Sequence, residues 1–434
     1  MKRLFLIILI YLSITTSDVC AISGFIKPKV DFVAIINELS KKGRDESLNS
    51  EPFYKKAVEL YIKLPEEIKE DDLRKWPSEL TSKKQSLLRQ WVKSNINAFN
   101  QLKSGTQKQY YWYQSQEDSV GDVVSPSYLP GVRGVVLAIL FRVKLRAIEI
   151  GITKEAIDDL LTCCRFGSHL MQSQDTIEQL AGTNIKNIVV NTVFICFAKK
   201  DFSLTEMEML QNSLNEQFSK NQNQTFNLDL EKLRHFEAVQ MLFQGTGKFS
   251  KLKPGAKLDL AARQSHLTYR YLESLSYDRT ISDIEDAFVY YKEYFAMNPW
   301  QARDKGLNFW EDFNFKANGN PVVILCIFNA PGIARVRAQY AANMDALLTT
   351  LAILRYKDDK DRFPKDLQEL LSANYLSQLP MDPYSNETLV YRQTEKNFML
   401  YSLGQDFDDD GGTHSDWGRY ERGGDYVFWP FEVN

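Results

Sequence analysis

The residues with the clearest chemistry lie in an acidic loop near the end of the chain. Asp406, Asp408 and Asp410 alternate along it and Gly411 follows, which gives the pattern D-x-D-x-D-G. Alternating carboxylates set oxygen atoms around one cation, and the glycine permits a sharp turn. Trp417 stands where an EF-hand has its bidentate glutamate. The pattern therefore predicts a Ca2+ site that is not an EF-hand.

The alternative to a calcium site is an acidic turn that faces solvent and binds nothing. Like charges crowded into one loop repel each other unless a cation neutralises them. This repulsion favours the calcium site over the solvated turn. Calcium at millimolar concentration outside the cell would make even a weak site useful.

Histidines and serines give little support for catalysis. The chain has 4 histidines, and none stands in an HExxH pattern or beside another at metal-ligand spacing. Ser168 and His169 are neighbours on a predicted helix, where adjacent side chains point about 100 degrees apart. They therefore imply no nucleophile and base. The sequence also has no GxSxG pattern, no phosphate-binding loop and no GxGxxG pattern after a strand.

Carboxylate pairs occur in the predicted helices at Asp158-Asp159 and Glu285-Asp286. Each pair lies in the early turns of its helix, where carboxylates complement the helix dipole. We therefore predict that both pairs face solvent. A hydrolase with an acidic site in the helical region is the less favoured alternative to a non-enzymatic protein.

The overall composition is that of a globular protein. The chain is 44% hydrophobic and 25% charged with a formal net charge of -3, which leaves no basic surface for nucleic acid. Cys163, Cys164, Cys196 and Cys326 lie in apolar stretches without CxxC spacing, so buried thiols are predicted. In an oxidising compartment, a bridge from Cys163 or Cys164 to Cys196 is the alternative.

The N-terminus has the pattern of an export signal. A short cationic start is followed by a nearly unbroken apolar run at 4–14 and then by small residues. This run is too short to span a bilayer, which needs about 20 residues. We predict a signal peptide at 1–21, cleaved after Ala21, and a periplasmic or extracellular protein. An uncleaved signal anchor and a lipid on Cys20 are the alternatives.

The elements that must position these residues are mostly helices. Residues 22–125 are predicted to form an N-terminal helical region. Residues 126–320 are predicted to form antiparallel hairpins, packed as an irregular bundle or a short solenoid. The apolar stretches at 188–198 and 322–328 are too short for a membrane span and are predicted to lie in the core.

Local signals place several helix boundaries. Capping boxes at 203–206 and 282–285, each with a serine and a glutamate three residues apart, predict two helix starts. Gly151 offers a left-handed helix stop, and Thr153 is predicted to cap the helix that follows. The segment 298–321, rich in aromatic residues, Asn and Gly, is predicted to be a connecting loop.

The C-terminal part changes to a mixed pattern. A long helix is predicted at 334–356 and a short one around 367–371. Strands are predicted at 388–392 and 398–402, and a final strand follows Asp425. Together with the helices before it, this predicts a mainly α protein that ends in a small α+β domain with an antiparallel sheet.

Three short motifs in this part carry a family resemblance. They are Arg-Phe-Pro at 362–364, Leu-Pro-Met-Asp-Pro-Tyr-Ser-Asn at 379–386 and Tyr-Ser-Leu-Gly-Gln-Asp at 401–406. Their order and spacing resemble the globular domain of the type II secretion pseudopilin G family. The resemblance covers residues 334–434, about a quarter of the chain. The whole arrangement also resembles exported proteins of planctomycete-type bacteria.

The resemblance implies a fold and a ligand for this segment. Family members fold it as a helix on a small antiparallel sheet, and their terminal loop holds calcium. Asp425 matches the aspartate before the family's last strand and is the implied fourth ligand beside Asp406, Asp408 and Asp410. Asp416 or backbone carbonyl groups are alternative ligands.

The resemblance does not extend to pilus assembly. Family members polymerise through a hydrophobic N-terminal helix released by a prepilin peptidase, and the apolar N-terminus here lacks that processing pattern. We therefore predict an exported, non-enzymatic protein that binds a protein or envelope partner. A component of a type II secretion-like apparatus is the alternative. Neither a nucleic-acid partner nor a transmembrane span in the mature chain is expected.

Overall fold

The computed structural model describes residues 30–117, 123–124, 128–173, 175–219, 228–244, 250–256, 269–326, 330–394, 396–415 and 423–431. The predicted signal peptide at 1–21 and the candidate ligand Asp416 lie outside these residues. Within them the protein is mainly helical with small antiparallel sheets, so the predicted fold class is confirmed.

The helices, in chain order, are α1 (Phe32–Lys41), α2 (Glu51–Glu59), α3 (Ser82–Ser94), α4 (Ile96–Thr106), α5 (Leu129–Glu149), α6 (Lys154–Met171), α7 (Thr176–Lys199), α8 (Leu204–Ser219), α9 (Leu228–Leu242), α10 (Tyr269–Ser274), α11 (Tyr277–Ala296), α12 (Pro299–Asp304), α13 (Phe309–Lys316), α14 (Pro321–Cys326), α15 (Ala330–Lys360) and α16 (Leu367–Ser372). The strands are β1 (Gln116–Glu117), β2 (Val123–Val124), β3 (Phe243–Gln244), β4 (Lys251–Leu252), β5 (Val390–Gln393), β6 (Phe398–Ser402) and β7 (Tyr426–Trp429).

The helical core is centred on α6 and α7, with α5 against α6 and α15 across α7 and α8. Gly167 of α6 and Gly182 of α7 mark the closest backbone approach, because a β-carbon added to Gly167 would stand 2.8 Å from the Gly182 carbonyl oxygen. Glycine has no β-carbon and so permits this approach. One cluster of buried residues extends from Tyr54 to Trp429, so the C-terminal segment shares a core with the helical region.

The predicted helix boundaries at 151–153 and 203–206 are confirmed. Thr153 Oγ1 accepts a hydrogen bond from Ala156 N at 3.3 Å, and Gly151 has a φ of 95°. Ser203 Oγ accepts from Glu206 N at 3.3 Å, while Glu206 Oε2 accepts from Ser203 N at 2.9 Å. Each bond satisfies an amide that the helix leaves free at its first turn.

Glu206 also connects α8 to the turn between α5 and α6, so its replacement should lower the unfolding free energy measurably. Its Oε1 accepts from Ile152 N at 2.8 Å, in the turn between α5 and α6. Glu206→Ala removes the acceptor of Ser203 N from the capping box of α8 and leaves the Ile152 amide unpaired. We expect a loss of about 1–2 kcal/mol in unfolding free energy, measured by urea denaturation. Glu206→Gln keeps an acceptor oxygen and should lose less. Equal losses in the two variants would contradict this account.

Two predictions about helix boundaries were wrong. The pattern at 282–285 lies inside α11, which starts instead at Tyr277 and is capped by Ser276, whose Oγ accepts from Arg279 N at 3.4 Å. Asp283 points inward, and its carboxylate accepts from Asn318 and Asn320 at 2.7 and 2.8 Å. The segment 298–321 is not a plain loop, because it contains α12 and α13.

The prediction of solvated carboxylate pairs holds for one pair and fails for part of the other. Glu285 and Asp286 are exposed, as predicted. Asp159 is only 6% exposed, because its carboxylate accepts from Arg142 Nε at 2.9 Å and from Arg146 Nη1 at 2.6 Å. Both arginines lie on α5, so the sequence of α6 alone does not show that they contact Asp159.

The C-terminal sheet has the predicted antiparallel form, with the order β5-β6-β7. Val390 pairs with Tyr401, and Ser402 pairs with Tyr426. The sheet packs against α15, which begins and ends about four residues beyond the predicted bounds of 334–356. These elements hold the two ends of the acidic loop.

The apolar stretch at 188–198 lies in the core, as predicted, and so does the described start of the stretch at 322–328, whose last two residues lie outside the described residues. Among the described residues, α7 has the length and composition to cross a membrane, and 72% of its apolar window is buried inside the protein. A buried core helix passes the same test of length and composition. In α14, Val322 and Val323 are fully buried.

The cysteines that the structure describes are thiols. Cys163, Cys164 and Cys196 are buried and free, which confirms the prediction of buried thiols for these three and excludes a bridge among them, whereas the side chain of Cys326 lies outside the described residues. Burial in apolar surroundings raises the pKa of Cys164 and Cys196 to about 12. Thiols of this kind are poor nucleophiles.

Candidate functional site

The acidic loop, residues 404–412, joins β6 to the segment that pairs beside β7. His414 forms a parallel bridge with Asp425, just before β7 begins. Ser415 N donates to the Asp425 carbonyl oxygen at 2.8 Å, and Asp425 N donates to the Thr413 carbonyl oxygen at 2.9 Å. These main-chain bonds close the base of the loop and hold Asp425 beside it.

A buried carboxylate that the sequence analysis did not single out, Asp382, fixes the start of the loop. Its Oδ1 accepts from Ser402 Oγ at 2.7 Å and from Tyr384 N at 3.0 Å, and its Oδ2 accepts from Leu403 N at 2.9 Å. Burial raises the pKa of Asp382, and the hydrogen bonds oppose that shift. An aspartate in a turn before proline is a known signal for such bonds. Asp382 therefore positions the loop.

Asp406 and Asp410 come together across the acidic loop. Asp406 Oδ2 accepts from Gly424 N at 2.5 Å. A β-carbon added to Gly423 would stand 2.9 Å from Asp406 Oδ2 and 3.8 Å from Asp410 Oδ2. Local desolvation, and then the charges of Asp406 and Asp408, raise the pKa of the exposed Asp410 carboxyl group. Two carboxylates this close favour a shared proton or a bound cation.

Asp425 lies beneath the acidic loop and is fully buried. Its Oδ2 accepts from Gly412 N at 2.6 Å, whereas its Oδ1 has no hydrogen-bond partner among the described residues. Burial raises the pKa of Asp425 to about 6, and the charges of Asp409 and Asp410 add to the shift. A buried carboxylate oxygen without a partner costs free energy, so Oδ1 favours a bound proton or cation.

The other two aspartates of the loop have different surroundings. Asp409 Oδ2 accepts from Arg392 Nη2 at 2.9 Å, and its Oδ1 accepts from Tyr401 Oη at 2.8 Å. Asp408 is exposed, and its Oδ1 accepts from Asp409 N at 3.0 Å. Of the four predicted ligands, Asp406, Asp408 and Asp410 are exposed on the loop and Asp425 is buried, and the carboxylates of Asp406 and Asp410 approach each other beside Gly423.

The donor atoms of the acidic loop have the chemistry that a hard cation requires. Carboxylate and carbonyl oxygens are the preferred ligands of Ca2+, which takes about six to eight of them together with water. Within the described ranges, no group of three or more His, Cys, Asp or Glu residues could hold a metal ion as placed. A bound Ca2+ would therefore draw the loop carboxylates closer or recruit carbonyl oxygens and water.

A second group of charged residues lies inside the helical region, and no sequence motif marks it. We call Asp175, Glu178, Glu231 and Arg234 the buried acidic cluster. Asp175 caps α7 by accepting from Ile177 N at 2.7 Å, and Arg234 Nη2 donates to Asp175 Oδ2 at 3.1 Å. Glu178 and Glu231 are 1% and 7% exposed. Three carboxylates face one guanidinium, so full ionisation would leave net negative charge in the core.

Glu178 is the member of this cluster that favours a proton most clearly. Ser173 Oγ donates to its Oε2, and its Oε1 has no hydrogen-bond partner among the described residues. Burial, and then the charge of Asp175, raise the pKa of Glu178 well above its usual range. Burial also raises the pKa of Glu231. The protonated, neutral form is therefore favoured for both Glu178 and Glu231.

Comparisons of the chain with protein-family models, with curated proteins and with solved structures find no match. The acidic loop and the buried acidic cluster are therefore interpreted from their own geometry. Of the two, the acidic loop is the candidate binding site, because its carboxylates reach solvent.

Proposed function

We propose that this chain is an exported, non-enzymatic protein whose acidic loop binds Ca2+ and whose helical region binds a protein or envelope partner. The observation that carries the calcium proposal is the buried carboxylate of Asp425, with its unpartnered Oδ1 beside the loop. The proposed side-chain ligands are Asp406, Asp410 and Asp425, with Asp408 at the edge of the site. Export is proposed from the signal pattern at 1–21.

A cation would change the energetics of the loop in a definite direction. Without it, Asp406 and Asp410 repel each other, and Asp425 must be protonated or bear an uncompensated charge. With it, repulsion between carboxylates becomes attraction to a common ion. Because Asp425 directly precedes β7, the ion would link the loop to the sheet and stiffen the C-terminal segment.

Calcium titration of the full chain tests this proposal. Isothermal titration with CaCl2 should show one saturable event with a Kd of about 10⁻⁴ to 10⁻³ M, the range of extracellular sites. Calcium at a hundred times its Kd stabilises a protein by about 2.7 kcal/mol, so the melting temperature should rise. Excess chelator should restore the lower melting temperature.

Two variants that each remove one negative charge distinguish a specific calcium site from general electrostatic attraction of Ca2+ to the acidic loop. Asp425→Asn keeps an oxygen that can accept from Gly412 N, yet it should abolish both the heat and the shift. Asp409→Asn should bind within a fewfold of wild type, because Arg392 and Tyr401 already occupy that side chain. Absence of binding up to about 10 mM CaCl2 would leave a solvated acidic turn. Equal losses in both variants would also refute the assigned site.

A further inference from the structure

Phe407 gives the acidic loop a second, apolar contact. It stands between Asp406 and Asp408 and has a φ of 64°, in the left-handed region that bulky side chains rarely adopt. Its ring centroid lies 5.8 Å from that of Tyr384, and Arg303 Cζ lies 4.7 Å from the Phe407 ring centroid. The Asp406 carboxylate bonds to the backbone before β7, whereas the Phe407 ring contacts α12.

Hydrogen bonds between described residues connect this end of the C-terminal segment to α12 and α15. Trp300 N in α12 donates to the Pro383 carbonyl oxygen at 3.4 Å. Arg335 Nη1 in α15 donates to Gln405 Oε1 at 3.3 Å. Both hydrogen bonds are long, and α12 has only 6 residues. The packing of Phe407 between Tyr384 and Arg303 adds a ring contact to these two long hydrogen bonds.

We propose that Ca2+ binding at the acidic loop controls the docking of the C-terminal segment on α12, with Phe407 as the positioning residue. This inference rests on the proposed calcium function. Without the ion, carboxylate repulsion and the strained backbone of Phe407 both favour a rearranged loop. An ion shared by Asp406 and Asp410 fixes the loop on both sides of Phe407 and holds its ring against Arg303.

Hydrogen exchange of the full chain, measured by mass spectrometry with and without CaCl2, tests this coupling. The peptide that covers 299–306 reports on α12, and the Trp300 amide reports on the contact with Pro383. In wild type, CaCl2 should slow exchange there by about fivefold or more, the lower end of ordinary coupling between two sites. Phe407→Ala should still bind Ca2+ in the titration, while exchange in α12 should no longer respond. Phe407→Tyr keeps the ring and should keep the response.

A second variant keeps the test valid if Phe407→Ala does not fold. Arg303→Gln leaves the loop sequence intact and removes the cation from the Phe407 ring, so the response in α12 should again be lost. Calcium binding by wild type with unchanged exchange in α12 would overturn the docking inference and leave the calcium site in place. An undiminished response in Phe407→Ala or Arg303→Gln would overturn it as well. If wild type does not bind calcium, both proposals fail.

Discussion

Replacing Gly182 with alanine should destabilise the protein by about 3 kcal/mol or more, since overpacking costs about 1–3 kcal/mol even where side chains give way. The added β-carbon would collide with the Gly167 carbonyl oxygen and stand 3.0 Å from Met171 N. Both are main-chain atoms, which cannot turn aside as a flexible side chain can. The helices α6 and α7 would have to separate, and the core around them would lose its packing.

The matched control for this variant is Gly255→Ala. Beyond its chain neighbours, no atom of the described residues lies within 4 Å of a β-carbon added to Gly255, so the same chemical change should leave the melting temperature almost unchanged. Gly167→Ala should resemble Gly182→Ala, because its β-carbon would stand 2.8 Å from the Gly182 carbonyl oxygen. Thermal melting of the three variants, followed by circular dichroism, measures the difference. Equal melting temperatures for Gly182→Ala and Gly255→Ala would show that α6 and α7 do not touch at this point.

The crossing of α6 and α7 shows where prediction from sequence stops. The local signals at Thr153 and Ser203 predicted helix starts correctly, because a cap is made by residues three positions apart. Gly167 and Gly182 are 15 positions apart in the sequence, and nothing local shows that they meet. Ser282 fits the same capping pattern as Ser203 but lies inside α11. A local sequence pattern indicates where a helix could start, and tertiary contacts determine which of these possible starts the protein uses.

The acidic loop could be predicted in part. The spacing of Asp406 and Asp410 placed two carboxylates on one turn, and the structure brings them together. The role of Asp382 was missed, because its partner Ser402 lies 20 positions away on β6. The capture of Asp409 by Arg392 was missed for the same reason, since 17 residues separate them. The spacing of the aspartates therefore indicated that carboxylate oxygens are the candidate metal ligands. Residues distant in the sequence decide which of these carboxylates are already engaged in hydrogen bonds.

Two carboxylates in the early turns of helices, Glu178 and Asp159, are buried instead of facing solvent. Glu178 lies in the first turn of α7, where an acidic residue ordinarily complements the helix dipole and faces water. Here Arg234 of α9 lies beside it, and Glu231 of α9 accepts from Thr176 N at the same helix start. Asp159 shows the same effect on α6, where α5 supplies its two arginines. Helical periodicity gives the direction of a side chain, but it does not identify the helix that packs over it.

The unfolding free energy of wild type should fall as pH rises, and replacing Glu178 with glutamine should abolish the part of this fall that Glu178 causes. In the unfolded chain a glutamate releases its proton near pH 4.5, whereas burial raises the pKa of Glu178 well above that value in the folded protein. Between these two pKa values the folded protein holds more protons, so unfolding free energy falls with rising pH. Glutamine resembles the protonated side chain and cannot ionise. Glu178→Gln should therefore match wild type below pH 4.5 and exceed it at pH 8, by at least about 1.4 kcal/mol.

Urea denaturation of wild type and Glu178→Gln from pH 4 to pH 9 measures this difference. The groups that face Glu178 are Asp175 and Ser173 near the start of α7, Arg234 on α9, and Tyr111, so the slope reports a shared environment. The control is Glu285→Gln on the exposed face of α11, which should follow the wild-type profile at every pH. Parallel profiles for wild type and Glu178→Gln would mean that Arg234 keeps Glu178 ionised in the core. A difference that grows with pH would instead identify Glu178 as a group that must hold its proton for α7 and α9 to remain packed.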